Sequence, residues 1–573
     1  MCGIAGILGA GIKEHEMNLM LKTIQHRGPD SSGIYRDKGF AVLGHNRLSI
    51  IDLNKHANQP FSDNSGRYHL SFNGEIYNYK ELKSEIGTKY SFRTNSDTEV
   101  LLAAFIIYGK DCLNKLNGMF SFAIWDSLDK KMFAARDRFG VKPFYYHKGS
   151  SKFVFASEIK AIRTVKPADP NKRVWANYFC FGSNGLPWET FFEGIEQLPA
   201  GHFIEYIEGQ LSIRKWYDFP DRIKSLAPEF CKSDIKEQYL SILKESLRLR
   251  FRADVEVGFN ISGGIDSSLL LSLVNAHHKN IKITAFSFYT GDQRYDELPW
   301  VEKMISQTGN PLEKVKLLPE EVPEYAQLIA NFQEEPFGGV PTIAYAKIFE
   351  KARDLGVKVL LDGQGMDEQW AGYDYYNKKD FSLVQGTGKS KSFKSYVLEK
   401  EFQEFSEKPH YPEPFTDKLQ NLQFRDLFYT KLPRALRFND RISMAYSTEL
   451  REPFLDYRLV ELAFSLPVSL KIKGGVQKYL LREIIKDYVP DKISAAPKRA
   501  LQTPQREWLG NELSGFVQGS LSSLKTSTFS SWFDHDKIMG ELRKYQAGEK
   551  SNSFFLWQWI NASLIATNIK EDV

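Results

Sequence analysis

Over the first two hundred residues, apolar and β-branched positions come in short runs, often alternating with polar ones and broken by Gly, Asn and Asp. Residues 40–43, 68–72, 119–125, 131–135 and 153–156 predict strands by this pattern. Apolar residues at helical spacing over 17–25 and 98–108 predict helices. Around residues 218–233 the texture changes to proline and charge (Asp218-Phe219-Pro220-Asp221, then Leu226-Ala227-Pro228-Glu229), which predicts a linker. Beyond it Val255, Val257, Phe259 and Ile261 alternate into a glycine loop, and an apolar run follows at 269–274. Ile281, Ile283, 285–288 and 357–361 predict further buried strands. Strands interleaved with helical patterns predict a parallel α/β sheet, and beyond about Asn421 the pattern is mostly helical. The expected division is 1–215, a linker over 216–233, and 234–573.

Composition narrows the class. A chain of 573 residues supports two to four domains. Lys+Arg 76 against Asp+Glu 71 leaves a net charge of +5, too diffuse to predict a nucleic-acid partner. The apolar stretch 1–12 is short, glycine-rich and lacks a basic flank, so neither a signal peptide nor a membrane span is expected. Four cysteines (Cys2, Cys112, Cys180, Cys231) are too few and scattered for a disulfide framework. The expectation is a soluble cytoplasmic protein with no membrane partner.

Three constellations carry chemistry. The first begins at Met1-Cys2-Gly3-Ile4. With Met1 removed, the Cys2 thiol lies beside its own α-amine, whose pKa near ~7.7–8.0 suits a general base. Position alone would favour a small buried cysteine near the start of a strand. Arg47, Asn73-Gly74-Glu75 and Asp97 change the balance. The Asn73 amide with the Gly74 N–H can form an oxyanion hole. Arg47 can take a carboxylate, and Asp97 or Glu75 an ammonium, as an amidase acting on an amino acid requires.

With His26-Arg27-Gly28-Pro29-Asp30, Arg136-Asp137-Arg138-Phe139-Gly140 and Leu198-Pro199-Ala200-Gly201-His202, these residues resemble the glutaminase domain of the class II, N-terminal-nucleophile glutamine amidotransferases. The resemblance covers residues 2 to about 215. It implies an α+β αββα sandwich that hydrolyses glutamine, with Cys2, Asn73 and Gly74 catalytic and Arg47, Asn73, Gly74, Glu75 and Asp97 binding glutamine.

The second constellation is Ser262-Gly263-Gly264-Ile265-Asp266-Ser267-Ser268 between a strand and a helix. Its glycines and N–H groups suit phosphate oxygens, and it lacks the Gly-Lys-Ser/Thr of the ordinary nucleoside-triphosphatase loop. The third is Asp362-Gly363-Gln364-Gly365-Met366-Asp367-Glu368, again after a strand. The Ser262–Ser268 loop resembles the pyrophosphate loop of enzymes that split ATP between the α- and β-phosphates, and that resemblance makes Asp266 a candidate magnesium ligand; because loops of a parallel sheet converge on one crevice, Asp367 is a candidate second ligand. Asp440-Arg441-Ile442-Ser443-Met444, Arg451-Glu452-Pro453-Phe454-Leu455-Asp456 and Lys478-Tyr479-Leu480-Leu481-Arg482 follow.

Together these resemble the synthetase domain of glutamine-hydrolysing asparagine synthetases, an α/β parallel-sheet adenylating domain with a helical C-terminal part. The resemblance implies ATP and magnesium as cofactors. It places ATP on Asn260, Ser262, Gly263, Gly264, Asp266, Ser267, Phe288, Asp362, Gly363 and Lys478, with Gln364 and Asp367 beside the acceptor and adenylate. The expected partners are glutamine, ATP and a carboxylate acceptor, aspartate first, with a homodimer as an open state. One position departs: the family usually carries Glu where this chain has Gln364, and an amide is no general base. The expected reaction is glutamine-dependent amidation of aspartate through an acyl-adenylate. The alternatives are the same chemistry on another carboxylate, such as a sugar acid or peptide, and a non-catalytic homologue.

Overall fold

In the computed structural model, which describes residues 1–226, 232–277, 283–377, 393–495, 502–548 and 552–571, the chain forms an antiparallel two-sheet sandwich joined to a parallel-sheet domain. Ile281, expected within a strand, lies outside the described residues.

Strand Gly3–Gly9 runs through the middle of the first six-stranded sheet, between Ala41–Arg47 and Lys152–Ala156. Its two-residue alternation sorts the layers. Ile4 and Leu8 face the second sheet, packing with Leu43, Ala123, Trp125, Ala134 and Ile204. Ala5 and Ile7 face the opposite way, onto helices Glu14–Thr23 and Ile159–Arg163 through Met17, Met20, Leu21 and Ile162. The second sheet, with Tyr68–Ile76 and Gly118–Asp126 paired along their whole length, is covered by helices Tyr79–Ile86 and Asp97–Tyr108 through Leu82, Val100 and Leu101. The expected αββα sandwich is present.

The second domain holds five parallel strands in the order Leu312–Lys316, Ala285–Tyr289, Val257–Asn260, Val359–Leu361, Glu449–Arg451. Helix Ile265–His277 covers one face, and helices Val322–Gln333 and Val340–Asp354 the other. The chain adds strands on one side of Val257–Asn260, then crosses over to Val359–Leu361. The loops after these two strands therefore flank the point where strand order reverses, where parallel sheets bind ligands. They are the two motif loops, Ser262–Ser268 and Asp362–Glu368. Helices from Lys418 to Glu571 complete the domain. No helix among the described residues is long and apolar enough to cross a membrane.

The stretch 216–233 carries a helix, Phe219–Ser225, started by an Asp218 cap and a proline in its first turn. Phe219 is buried edge-on against Phe464 of the second domain, so this part of the expected linker is packed rather than exposed. Residues 227–231 lie outside the described residues.

Between the domains runs a buried ion network. Arg27 donates to both oxygens of Asp440 at 2.9 and 3.1 Å and to Glu158 at 2.8 Å. Arg441 reaches Glu158 and Glu334, each at 3.0 Å.

Candidate functional site

Cys2 immediately precedes the central strand and is buried. Its N–H donates to Asn73 Oδ1 (3.1 Å), its carbonyl accepts from Arg27 Nε (3.1 Å), and its Sγ lies 4.0 Å from the Leu48 carbonyl. Burial pushes the thiol pKa up, so a thiolate here would need a base to form. Asn73 comes from the facing sheet, is fully buried, and its Nδ2 has no hydrogen-bond partner among the described residues. A free buried amide donor beside a thiol is what an oxyanion would satisfy. At Gly74 a Cβ would stand 2.1 Å from the Met119 carbonyl oxygen, so only glycine lets the neighbouring strand approach.

The Arg47 guanidinium is pinned to the loop that follows its strand, donating to the Asn54 carbonyl (2.9 Å), Asn58 Oδ1 (2.8 Å) and the Ile51 carbonyl (3.3 Å). Opposite lies an acidic cluster. Glu75 is buried with Oε2 unpartnered among the described residues. Burial first, then the neighbouring Glu449 and Asp97, raise its pKa well above the ordinary carboxyl value. Asp97 opens its helix, accepts from the Ile76 N–H (2.9 Å), and is pushed up to about 6, chiefly by burial. The Met1 ammonium sits 3.3 Å from Glu449. This cluster therefore already holds a primary ammonium, the group that a glutamine α-amine would present once Met1 is gone. Glu449 and Arg451, which lies 2.5 Å from Glu449 and 3.5 Å from Glu75, come from the second domain. The sequence reading did not assign either to this site.

The second site is a cavity of about 410 Å³ joined to a smaller lobe of about 160 Å³ through shared Ser262, Asp362 and Gln364. Gly263 is left-handed (φ +69°), and a Cβ there would meet Trp300 Cβ at 2.8 Å. Ser267 Oγ accepts from the Ser262 N–H (3.2 Å), closing the loop onto the helix start. Gly264, Asp266 and Gly363 line the larger cavity with Gln364 and Asp367. Asn260 and Phe288 line the smaller lobe. Tyr345 donates to Asp362 (2.8 Å) and accepts from Asn260 Nδ2 (2.7 Å), tying the first loop's strand to the third motif. Burial raises the Asp362 pKa.

Lys478 is buried and left-handed (φ +53°), with Nζ 2.6 Å from Asp266 and 2.7 Å from Asp367. The fold thus brings the two acids to one point from loops a hundred residues apart. The described residues contain no group of three His, Cys, Asp or Glu that could hold a metal. A magnesium ion here would have two carboxylates, with phosphate oxygens and water for the rest, which is how this ion is commonly held beside nucleotides. The donor set fits. Sequence reading also missed Tyr373, Arg434 and Arg482, which line the same cavity.

Residues 1–217 match the glutamine amidotransferase domain family, and residues 238–567 match the asparagine synthase family. Asparagine synthetase [glutamine-hydrolyzing] 1 of Bacillus subtilis is 29% identical over 97% of this chain and 95% of its own length. Putative asparagine synthetase [glutamine-hydrolyzing] 2 of Methanocaldococcus jannaschii is 33% identical over 65% of this chain and 76% of its own. Amidase chry2 of Gibberella zeae is 27% identical over 90% of each.

Proposed function

Because this chain belongs to the asparagine synthase family and carries a glutamine amidotransferase domain ahead of it, we propose that it moves the amide nitrogen of glutamine onto a carboxylate activated by ATP. The observation that carries this reading is one strand shared by both sites. Glu449 and Arg451 join the acidic cluster around Met1 and Glu75. The same Arg451 carbonyl accepts from the Asp362 N–H (2.9 Å) at the start of the nucleotide loop.

In the first site Cys2 is the nucleophile and its α-amine, freed when Met1 is removed, takes the thiol proton. The thiolate adds to the glutamine side-chain carbonyl, with Asn73 Nδ2 and the Gly74 N–H receiving the oxyanion. Ammonia leaves as the thioester forms, and water then releases glutamate. Glu75, Asp97 and Glu449 receive the α-ammonium, and Arg47 and its loop the α-carboxylate.

In the second site the loop amides at 262–267 cradle the β- and γ-phosphates of ATP. Asn260 and Phe288 hold the nucleoside end. Asp266 and Asp367 would hold magnesium, which when bound would neutralise phosphate charge. Lys478 adds its own charge to the same oxygens. An acceptor carboxylate oxygen attacks the α-phosphorus, and ammonia then displaces AMP from the acyl carbon.

Aspartate is the leading acceptor. Gln364, lining both lobes, supports a second reading with another carboxylate. A screen of carboxylic acids for acceptor-dependent AMP and pyrophosphate, with the amide identified by mass, tests this. Aspartate alone should support turnover on the first reading, and a different acid on the second. ADP and phosphate as products would refute both.

A further inference from the structure

Addition of ammonia to an acyl carbon leaves the new nitrogen with one proton too many, and an acceptor must take it before the amide can form. Gln364 cannot do so. The acidic groups around it are already engaged. Asp362 accepts from Tyr345 and the Gly363 N–H (2.7 Å). Asp266 and Asp367 are held by Lys478. Glu368 accepts from the Tyr373 hydroxyl (2.6 Å).

Glu452 is different. It is buried, and its Oε2 has no hydrogen-bond partner among the described residues. Its place follows from sheet register. Leu361 pairs with Arg451, so Asp362 and Glu452 leave the carboxyl ends of neighbouring strands side by side. One residue before it, Arg451 touches the glutaminase acids; beside it, Asp362 begins the loop that carries Gln364. Glu452 thus follows directly on the residue that reaches Glu75 and sits at the strand end beside the Gln364 loop.

We propose that Glu452 accepts the proton released when ammonia reacts with the acyl-adenylate. This rests on the reading of function given above. The N–H bond breaks, its electron pair stays on nitrogen, and the proton goes to the Glu452 carboxylate. The tetrahedral centre then collapses with loss of AMP, whose phosphate oxygen keeps the C–O electron pair. The carboxylic acid returns its proton to solvent between turnovers. Burial, then Asp362 and Asp137, raise the Glu452 pKa, while Lys142 and Arg250 oppose them, leaving it at about 8. Arg250 is partly spent on Asp456 (3.2 Å), and Lys142 Nζ lies 3.5 Å from the Leu450 carbonyl. At about 8 the carboxyl is mostly protonated at pH 7, so the ionised form that takes the proton, and with it amide formation, should grow as pH rises through that value.

The test separates the half-reactions of the full chain. ATP–pyrophosphate exchange with the best acceptor reports acyl-adenylate formation, and amide formation from ammonium chloride reports the second step. For Glu452→Gln, amide formation should fall about 100-fold, in the range of general-base loss, with exchange within about threefold. Adding Gln364→Glu to Glu452→Gln should restore at least tenfold by supplying a carboxylate from the other side. Amide formation at the wild-type rate in Glu452→Gln, or equal loss of both half-reactions, would overturn the assignment. A wild-type chain that exchanges no pyrophosphate with any acid would instead contradict the proposed function.

Discussion

Replacing Arg27 by Met tests whether the domain contact also positions the nucleophile. Arg27 is fully buried and makes four bonds: two to Asp440, one to Glu158 and one, from Nε, to the Cys2 carbonyl. Glu158 keeps Arg441 (3.0 Å), Lys160 (2.9 Å) and His26 (3.1 Å) when Arg27 is gone. Asp440 does not fare as well. Burial pushes its carboxyl pKa up, yet Arg27 first and Lys142 next hold it below the ordinary value. Removing Arg27 strands that charge, and breaking one side of a buried pair costs about 3–5 kcal/mol. Asp440→Asn removes the charge, so Arg27→Met in that background should cost about 2 kcal/mol less, the size of coupling expected between contacting groups. Urea unfolding followed by tryptophan fluorescence measures the four variants. Steady-state glutaminase assays should show kcat down 10- to 100-fold in Arg27→Met, because a shifted nucleophile loses its attack geometry. In Asp440→Asn kcat should stay within about threefold, since the Nε bond to Cys2 and the Glu158 anchor persist. An Arg27→Met protein within about 1 kcal/mol of wild type, or strictly additive variants, would refute the reasoning.

Cys2→Ala should abolish glutaminase activity and glutamine-dependent amidation while sparing ammonia-dependent amidation; residual glutamine hydrolysis in the purified variant would contradict the nucleophile, and intact-mass analysis of active protein should show Met1 absent. Asp97 titrates at about 6 and binds an ammonium only when ionised. The kcat/KM for glutamine should therefore fall about tenfold per pH unit below that value, and a profile flat to pH 5 would remove Asp97 from the site. Lys478→Met should cut pyrophosphate release at least 100-fold with glutaminase activity within about twofold, since loss of a preorganised charge at the departing group costs that much; equal loss of both activities would place Lys478 in the fold rather than the chemistry.

Much of this was legible because sheets buried on both faces give dense apolar and β-branched runs bounded by turn residues. Strands 41–47, 68–76, 118–126, 131–136 and 152–156 all overlap segments read from pattern alone. Glu449–Arg451 was not legible. It has three residues, two of them charged, and those charges are buried by pairing with each other and with Glu75 and the Met1 ammonium, hundreds of residues away. Leu312–Lys316, at the sheet edge, mixes two apolar residues with three charged ones and gives little more signal. The motif loops were readable from their glycines and acids, but the closure of Lys478 on Asp266 and Asp367 depends on how the helical part folds back over the sheet. Arg434 and Tyr373 enter the cavity from segments with no motif of their own. Glu452 stood inside a quoted motif, yet its unpartnered oxygen is a property of packing that no single sequence displays.

The central claim is that nitrogen passes from the first site to the second within one chain. Glutamine labelled with 15N in its side-chain amide, incubated with ATP, magnesium and the acceptor in excess unlabelled ammonium at pH 7, tests it directly by mass spectrometry of the product. Internal delivery predicts that most early product carries 15N, with one AMP and one pyrophosphate formed per amide. Product labelled only in proportion to the mixed ammonium pool would contradict it.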